Sequence, residues 1–216
     1  IDGRADYAKG NRFHSLEFLE GMPAIRIIGN ALLSLLTKIS SGYWHIFDPT
    51  NGFTAVNREV LENLPLEKIS NRYFFESDML FRLNIIRAVV EDVPMRAFYG
   101  SEKSNLKITN VLLPFFFGHF KNFWKRIFYN YYLRDMSVAS IQLPLGLGAI
   151  LFGLFYGAYN WGIYAAAGQS TPVGTVVIAA LSISLGVQFL LAFLAYDIQN
   201  VPRIPIHLIL KNLVKS

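Results

Sequence analysis

The sequence predicts an α/β domain followed by an interfacial amphipathic helix and a two-helix transmembrane hairpin. Two observations lead to this order. Strand-like and helix-like segments are mixed over residues 1–110, and residues 136–196 contain no Asp, Glu, Lys, Arg or His. The 216 residues are 53% hydrophobic, carry a formal net charge of +5 and include no cysteine. A disulfide framework, a thiolate metal site and a cysteine nucleophile are therefore excluded within this chain.

The first part of the chain alternates short strands with helices. The stretch "ADYAKGNRF" predicts a short strand, and "GFTAVN" predicts a second strand after a turn. A third strand is predicted by "AVVEDVPM" and ends at Pro94. In "FFESDMLFRLNIIR" we expect a helix in which Asp78 and Arg82 pair at the i,i+4 spacing. Because strands and helices are mixed, residues 1–110 are predicted to form an α/β domain.

A longer helix is predicted between the first two strands, over residues 23–39. Apolar residues recur there at the spacing of three and four that places side chains on one face of a helix. This predicted apolar face consists of Ala24, Ile27, Ile28, Ala31, Leu32 and Leu35.

The uncharged stretch is long enough for two membrane-crossing helices, because a hydrocarbon core needs about 20 apolar residues per helix. Turn-forming residues interrupt it at 168–172, so we predict spans at 137–159 and 173–196 within a membrane region 136–197. Backbone groups in lipid must be satisfied internally, which makes both spans helical. The alternative is a buried helical hairpin of a soluble protein, which the absence of charge on either helix disfavours.

Basic residues flank the uncharged stretch on both sides, whereas the loop between the spans has no Lys or Arg. The flanking residues are Lys121, Lys125, Arg126, Arg134, Arg203, His207, Lys211 and Lys215. The positive-inside bias then places both ends in the cytoplasm and the hairpin tip outside. We predict a multi-pass protein of the cell membrane with cytoplasmic termini and a cytoplasmic tail at 198–216.

An amphipathic helix is predicted immediately before the hairpin, within residues 111–135. Its aromatic and apolar face is predicted to contain Phe116, Phe120, Phe123, Trp124, Ile127 and Tyr131. The opposite face is predicted to contain Lys121, Asn122, Lys125 and Arg126, with Asn130 near the border. A basic face opposite an aromatic face indicates a helix lying in the membrane interface, where the cations can bind anionic head groups. A core helix of the α/β domain is the alternative.

The stretch "DPTNGFTAVNREVL" has more turn-forming residues than a connecting loop needs. Gly52 has no Cβ, so a ligand can approach its backbone closely. Asp48 and Asn51 are short polar side chains that can stabilise a turn or bind a hydroxyl group. An ordinary Asn-Gly hairpin turn is the alternative interpretation.

Five motifs in order resemble those of the membrane-anchored family 2 glycosyltransferases. They are "KGNRF", "DPTNGFTA", "FFESDMLFRL", "VEDVPM" and "YGSEKS", and a C-terminal membrane hairpin follows them. The most similar type is the polyprenyl-phosphate sugar transferase, such as dolichyl-phosphate mannose synthases and bactoprenol glucosyltransferases. The resemblance implies a GT-A fold, of which this chain would hold the acceptor half of an incomplete Rossmann-like domain.

The resemblance also implies an activity. A hexose would pass with inversion from a nucleotide sugar to a polyprenyl phosphate lipid at the cytoplasmic face of the membrane. The cofactor would be Mg²⁺ or Mn²⁺, with its main ligands outside this chain and none within it. Relatives of this type can associate through their membrane helices, so the resemblance allows a homo-oligomer. A nucleic-acid partner is not expected.

Site residues follow from the same resemblance. Glu76 lies where the family has its catalytic carboxylate, although Glu stands there in place of Asp, and Asp78 matches the last acid of that motif. Donor binding is assigned to Asp48, Asn51 and Gly52. Binding of the acceptor phosphate is assigned to Arg12, Arg26, Asn30 and Arg126. The planar guanidinium of the arginines matches phosphate oxygens. Lys103 and Ser104 belong to a loop that closes over the donor.

Two other classes of function are compatible with the sequence. A small transporter component would need polar or ionisable groups inside the spans. The spans offer Gln142, Gln188, Asn160 and a few Ser and Thr residues. A noncatalytic membrane scaffold would use closely packed helices, for which Gly153 and Gly157 have the small-xxx-small spacing.

Overall fold

The computed structural model describes residues 3–15, 24–49, 51–96 and 108–213. The chain divides into two compact units. The sheet unit consists of Ile1–Asn130 together with Val201–Ser216, and the hairpin unit is Tyr131–Asn200.

A three-stranded mixed sheet lies at the centre of the sheet unit. Strand β1 (Tyr7–Asn11) pairs antiparallel with β2 (Thr54–Val56) and parallel with β3 (Val90–Pro94), in the order β2-β1-β3. The three strands predicted from the sequence are therefore confirmed, as is the mixture of strands and helices. The parallel pair places the ends of β1 and β3 at one edge, where Asn11 faces Pro94.

Helices α2 (Arg58–Glu62) and α3 (Phe75–Ile85) complete the hydrophobic core of this unit, with short 3₁₀ turns at Leu66–Lys68 and Arg72–Phe74. Asn57 caps α2, because its side-chain oxygen accepts from the Glu59 backbone N–H at 3.0 Å. The buried core residues are Tyr7, Tyr43, Ile46, Val60, Leu64, Met79, Leu80, Leu83, Ala88 and Val90.

Helix α1 (Ala24–Ser41) turns its apolar face outward. The predicted face is exposed at Ala24, Ile28, Ala31, Leu32 and Leu35, and Ile27 is half-buried. The buried side chains of α1 are polar instead: Ser34, Thr37, Ser40 and Ser41. Three of these four side chains have hydrogen-bond partners, for example Ser40 Oγ with His119 Nδ1 at 2.8 Å, whereas Ser34 Oγ has none among the described residues. The spacing of apolar residues predicted this face, but it could not show whether the face is buried or exposed.

Helix α4 (Ile108–Phe128), which packs against α1, corrects the predicted face assignment. Asn122, Arg126 and Asn130 are buried rather than exposed, and Ile127 is buried on the same side. Each of the three polar side chains makes a hydrogen bond in the unit: Asn122 donates to Asp78 at 2.9 Å, Arg126 Nη2 donates to the Ile39 carbonyl at 2.8 Å and Asn130 donates to Asn84 at 2.8 Å. These bonds compensate for the cost of removing polar groups from water.

The outer face of α4 combines aromatic rings with lysines. It exposes Leu113, Phe116, Phe117, Phe120, Lys121, Trp124, Lys125 and Phe128. The predicted amphipathic character is therefore present, with the two lysines on the aromatic side. A π-helical turn, Tyr129–Arg134, follows α4.

The hairpin unit is built from α5 (Val138–Ala166) and α6 (Val173–Gln199). Both are long and apolar enough to cross a membrane, judged by length and composition. Small residues bring their backbones together: a Cβ on Gly153 would lie 2.8 Å from the Ala179 carbonyl oxygen. Tyr131, predicted on the aromatic face of the preceding helix, is buried here and its hydroxyl donates to Asp197 Oδ1 at 2.5 Å.

The chain returns to the sheet unit after the hairpin. Helix α7 (Ile206–Leu213) packs against α2. Asp6 accepts hydrogen bonds from the backbone N–H groups of Ile206 and His207, both at 2.9 Å, and from His207 Nδ1 at 2.6 Å. A carboxylate at the N-terminus of a helix is favourable because it binds N–H groups that lack intrahelical partners. The predicted tail is thus partly a docked helix.

Candidate functional site

Polar and charged side chains collect where β1 ends. Lys9 and Asn11 belong to β1, Arg12 follows it, and Asp92 lies on the neighbouring strand β3. In the segment 47–53, the described residues 47–49 and 51–53 lie alongside this edge, and Gly10 N donates to the Phe53 carbonyl at 2.8 Å. The structure therefore brings the predicted turn and the predicted Arg12 together around one strand end.

The predicted turn is tied to β1 by Asn51. Asn51 N donates to the Asp48 carbonyl at 3.3 Å, Asn51 Nδ2 donates to the Gly10 carbonyl at 2.8 Å, and Asn51 Oδ1 accepts from Phe53 N at 3.0 Å. A Cβ on Gly10 would overlap the Met95 and Asn51 side chains, so a larger residue there would displace them. The Asn51 side chain is used to fix the turn.

Gly52 is the residue of this turn whose backbone is exposed. A Cβ added there would meet nothing within 4 Å. Phe53, next to it, is 72% exposed. The turn thus presents a bare backbone and a free aromatic ring, while its anchoring residue is buried. Donor binding at this point stays a prediction.

Arg12 and Asp48 form one ion pair. Arg12 Nε and Nη2 donate to the two carboxylate oxygens at 2.6 and 2.8 Å, and the Arg12 backbone N–H donates to Asp48 Oδ2 at 3.2 Å. Asp48 is fully buried, and this fork-like contact supplies it with a cationic partner. The resemblance assigned these residues to acceptor and donor respectively, whereas the structure couples them directly.

Lys9 is a buried cation that the sequence reasoning missed. Its side chain is 1% exposed, and Nζ donates to the Asn51 carbonyl at 2.5 Å. Burial lowers the pKa of Lys9 to about 8, although the nearby carboxylates of Glu76, Asp48 and Asp92 oppose this shift. The only sequence signal was its place in "KGNRF", which did not distinguish Lys9 from a surface lysine.

Glu76 lies in the first turn of α3 and is partly exposed. Its charge acts on β1, because it favours the protonated forms of both Lys9 and Tyr7 and so raises their pKa values. Among the described residues no hydrogen-bond donor holds the Glu76 carboxylate. It is therefore a carboxylate near the cluster that a ligand can reach.

Asp78 has a different environment from Glu76, and its predicted catalytic role stays a prediction. It is 2% exposed and accepts from Ser70 N at 2.8 Å, Arg82 Nε at 3.1 Å and Asn122 Nδ2 at 2.9 Å. The predicted i,i+4 pair with Arg82 is confirmed. Both carboxylate oxygens accept hydrogen bonds inside the unit, and the bond from Asn122 joins α3 to α4.

Asp92 is a second buried carboxylate at the strand end. Asp92 Oδ2 accepts from Asn11 Nδ2 at 2.9 Å and from Phe47 N at 3.0 Å, and burial raises its pKa. It therefore fixes the start of segment 47–53, as Asn51 fixes its end. The quoted motif "VEDVPM" contains Asp92, but nothing in the motif marked it as a loop anchor.

The other predicted phosphate-binding residues differ in how deeply they are buried and in whether the structure describes them. Arg126 is 2% exposed and donates to the Ile39 carbonyl, so its predicted place on an exposed basic face is wrong. Asn30 is partly buried on α1. The side chain of Arg26, and the whole of Lys103 and Ser104, lie outside the described part of the chain.

The described residues do not fit a divalent metal site. They contain no group of three or more His, Cys, Asp or Glu side chains that could hold an ion. The buried carboxylates Asp48 and Asp78 already bind Arg12 and Arg82, and Asp92 Oδ2 accepts from amide and backbone N–H groups, while Asp92 Oδ1 has no partner among the described residues. The Mg²⁺ or Mn²⁺ implied by the resemblance stays a prediction about residues elsewhere.

Two known proteins are similar to about half of this chain. A UDP-N-acetylglucosamine–dolichyl-phosphate N-acetylglucosaminyltransferase of Methanococcus voltae is 27% identical over 115 residues, which are 53% of this chain and 45% of that protein. This chain has a glycosyltransferase as a relative. An uncharacterized protein of Methanocaldococcus jannaschii is 28% identical over 110 residues, which are 51% of this chain and 44% of that protein. No protein-family model matches the chain.

The similarity is distant and partial. The matched stretch spans less than half the length of either relative. The activity, the donor, the acceptor and the GT-A assignment of this chain are therefore matters for proposal.

Proposed function

We propose that the full-length protein transfers a sugar from a nucleotide-sugar donor to a polyprenyl phosphate at the cytoplasmic face of the cell membrane. The observation that carries this proposal is the similarity to a transferase whose name specifies a nucleotide sugar and a dolichyl phosphate. The proposed enzyme is an inverting family 2 glycosyltransferase with a GT-A domain. UDP-N-acetylglucosamine is the first donor to test, because the relative's name specifies it.

Exposed apolar surface supports a membrane location. α5 contains 29 residues, about 43 Å at 1.5 Å per residue, which exceeds a hydrocarbon core of about 30 Å. In the sheet unit, α1 and α4 both expose large apolar side chains, including Ile28, Leu32, Phe120 and Trp124. Surfaces of this kind mark contacts with a membrane or another protein. Lys121 and Lys125 beside the rings favour an anionic membrane surface.

The sheet unit contains chain segments from both sides of the hairpin, which supports an even number of membrane crossings. Residues before and after the hairpin belong to this one unit, and Asp6 binds His207 across 201 positions of sequence. If the hairpin crosses a membrane, both of its ends must then lie on the same side. The basic flanks favour the cytoplasmic side.

The proposed reaction needs little proton transfer. A phosphate oxygen of the lipid attacks the anomeric carbon of the donor sugar, and the bond from that carbon to the nucleoside diphosphate breaks with its electron pair. A phosphate monoester is already largely ionised near pH 7, since its second pKa is about 6. We assign Glu76 to orienting the acceptor, or to accepting a proton where one remains, and Arg12 to stabilising phosphate charge beside the Gly52 turn.

A direct assay tests the proposal. The full-length protein in anionic phospholipid vesicles is expected to convert labelled UDP-N-acetylglucosamine and a polyprenyl phosphate into a lipid-linked sugar phosphate. Polyprenol without phosphate is the matched control and should give no product, because it lacks the ionised attacking oxygen. If a panel of nucleotide sugars gives no lipid product with any polyprenyl phosphate, the proposed function is wrong.

Topology gives a second prediction. A cysteine replacing Gln169, in the turn between α5 and α6, should react with an impermeant maleimide added outside intact cells. Cysteine at the exposed Arg203, after α6, should react only once the cells are permeabilised. This chain contributes no cysteine of its own, so the background is low. The reverse pattern, or equal labelling at both positions, would reject a hairpin with cytoplasmic ends.

A further inference from the structure

Lys9 is buried, and burying a charged amine opposes folding. A buried ammonium group loses its hydration, and this loss is tolerated when the charge has partners. Here the one hydrogen bond of Nζ within the described residues goes to the Asn51 carbonyl. The Asn51 side chain also donates to the Gly10 carbonyl of β1 and accepts from Phe53 N within the turn. The cation therefore acts on the residue that determines the position of Gly52.

We propose that Lys9 is a positioning residue of the transfer site, because its ammonium group fixes the Asn51 carbonyl and keeps the Gly52 backbone accessible to the diphosphate sugar. This inference rests on the proposed function. It assigns to Lys9 no contact with the reacting atoms. Its effect is expected in donor binding rather than in the chemical step.

Charged groups face Lys9 from each neighbouring element. Glu76 comes from α3, Asp48 from the turn and Asp92 from β3, and all three favour the protonated amine, whereas Arg12 disfavours it. Burial outweighs them and lowers the pKa of Lys9 from its usual 10.5 to about 8. The amine is thus mostly charged near pH 7 and loses its proton at moderately alkaline pH.

Deprotonation has opposite consequences for folding and for donor binding. Between pH values of about 8 and 10.5 the unfolded chain keeps the Lys9 proton and the folded chain does not. The contribution of Lys9 to the free energy of unfolding therefore rises with pH across this window. Donor binding should weaken over the same window, because a neutral amine donates a weaker hydrogen bond to the Asn51 carbonyl. A residue that only supported the fold would show the first effect alone.

Lys9→Met in the full-length protein separates these roles. A hydrogen bond to a charged group contributes about 1.5–3 kcal/mol, or about 10- to 150-fold in an equilibrium constant. The KM for the nucleotide sugar near pH 7 should rise by about tenfold or more, with kcat changed much less. The wild-type KM should rise as pH passes through about 8, and the variant's KM should not. Lys68→Met, at an exposed lysine, is the matched control and should keep the wild-type profile.

A measurement without substrate tests Lys9 independently of the reaction. In hydrogen exchange followed by mass spectrometry, peptides covering 47–53 should exchange faster in Lys9→Met than in wild type, while peptides covering α3 should not change. If the protein transfers no sugar, the proposed function fails, and faster exchange in this segment still shows that Lys9 anchors the turn. Unchanged exchange, or a wild-type KM profile in Lys9→Met, overturns the inference. Should that variant not fold, the wild-type profile decides: a KM that stays flat through pH 8 overturns it.

Discussion

Replacing Glu76 with Gln in the full-length protein is expected to lower turnover strongly while the protein stays folded. Glu76 is partly exposed in the first turn of α3, and its charge acts on Lys9 and Tyr7 of β1. General base catalysis contributes about 10²–10⁴-fold, so a fall of kcat in that range would indicate proton transfer. A smaller fall would indicate orientation of an already ionised phosphate. Single-turnover kinetics with saturating polyprenyl phosphate measures the difference.

The same variant has a second expected consequence. Removing the Glu76 charge removes the largest of the interactions that raise the pKa of Lys9. The rise of the donor KM with pH should therefore begin at a lower pH in Glu76→Gln than in wild type. Glu62→Gln, at an exposed end of α2, is the matched control for both readouts. Full wild-type turnover in a folded Glu76→Gln protein would show that Glu76 is a structural residue of the helix.

Replacing Asp6 with Ala is expected to cause a large loss of stability in the sheet unit. Asp6 is fully buried and accepts from Val89 N at 2.7 Å as well as from Ile206 and His207. Its removal leaves buried N–H groups without an acceptor, each costing about 1–3 kcal/mol. We expect the free energy of unfolding to fall by about 3–5 kcal/mol, the range for breaking a buried pair. Pulse proteolysis of the detergent-solubilised protein in a urea series gives this value.

Two further variants show whether the loss comes from these hydrogen bonds. Asp6→Asn keeps one side-chain oxygen and should lose less stability than Asp6→Ala. His207→Ala removes only the side-chain bond and leaves the backbone bonds of α7 to Asp6, so it should lose less still. Glu62→Ala removes only an exposed ion pair with Arg58 and should change the urea midpoint much less than Asp6→Ala. An unchanged midpoint in Asp6→Ala would show that the docking of α7 does not depend on this carboxylate.

Local patterns were sufficient for much of the fold. The three strands, the helix that carries Asp78 and Arg82, and the break at 168–172 could all be predicted because each depends on neighbouring residues. The site was less predictable. A motif can indicate that Gly52 and Glu76 belong to a site, but the position of Lys9 depends on residues that are distant in sequence. Asn51, for example, lies 42 positions away from Lys9.

By itself, the sequence determined the two long apolar helices, since the length of an uncharged stretch is sufficient to predict them. It also determined that α1 and α4 are amphipathic, because this follows from spacing along one helix. Only the tertiary structure decided which faces are buried. The inward faces are polar because Asn122 and Arg126 find Asp78 and the Ile39 carbonyl, partners from other helices. Likewise, Arg12 and Asp48 lie 36 positions apart and become one ion pair only when the chain folds around β1.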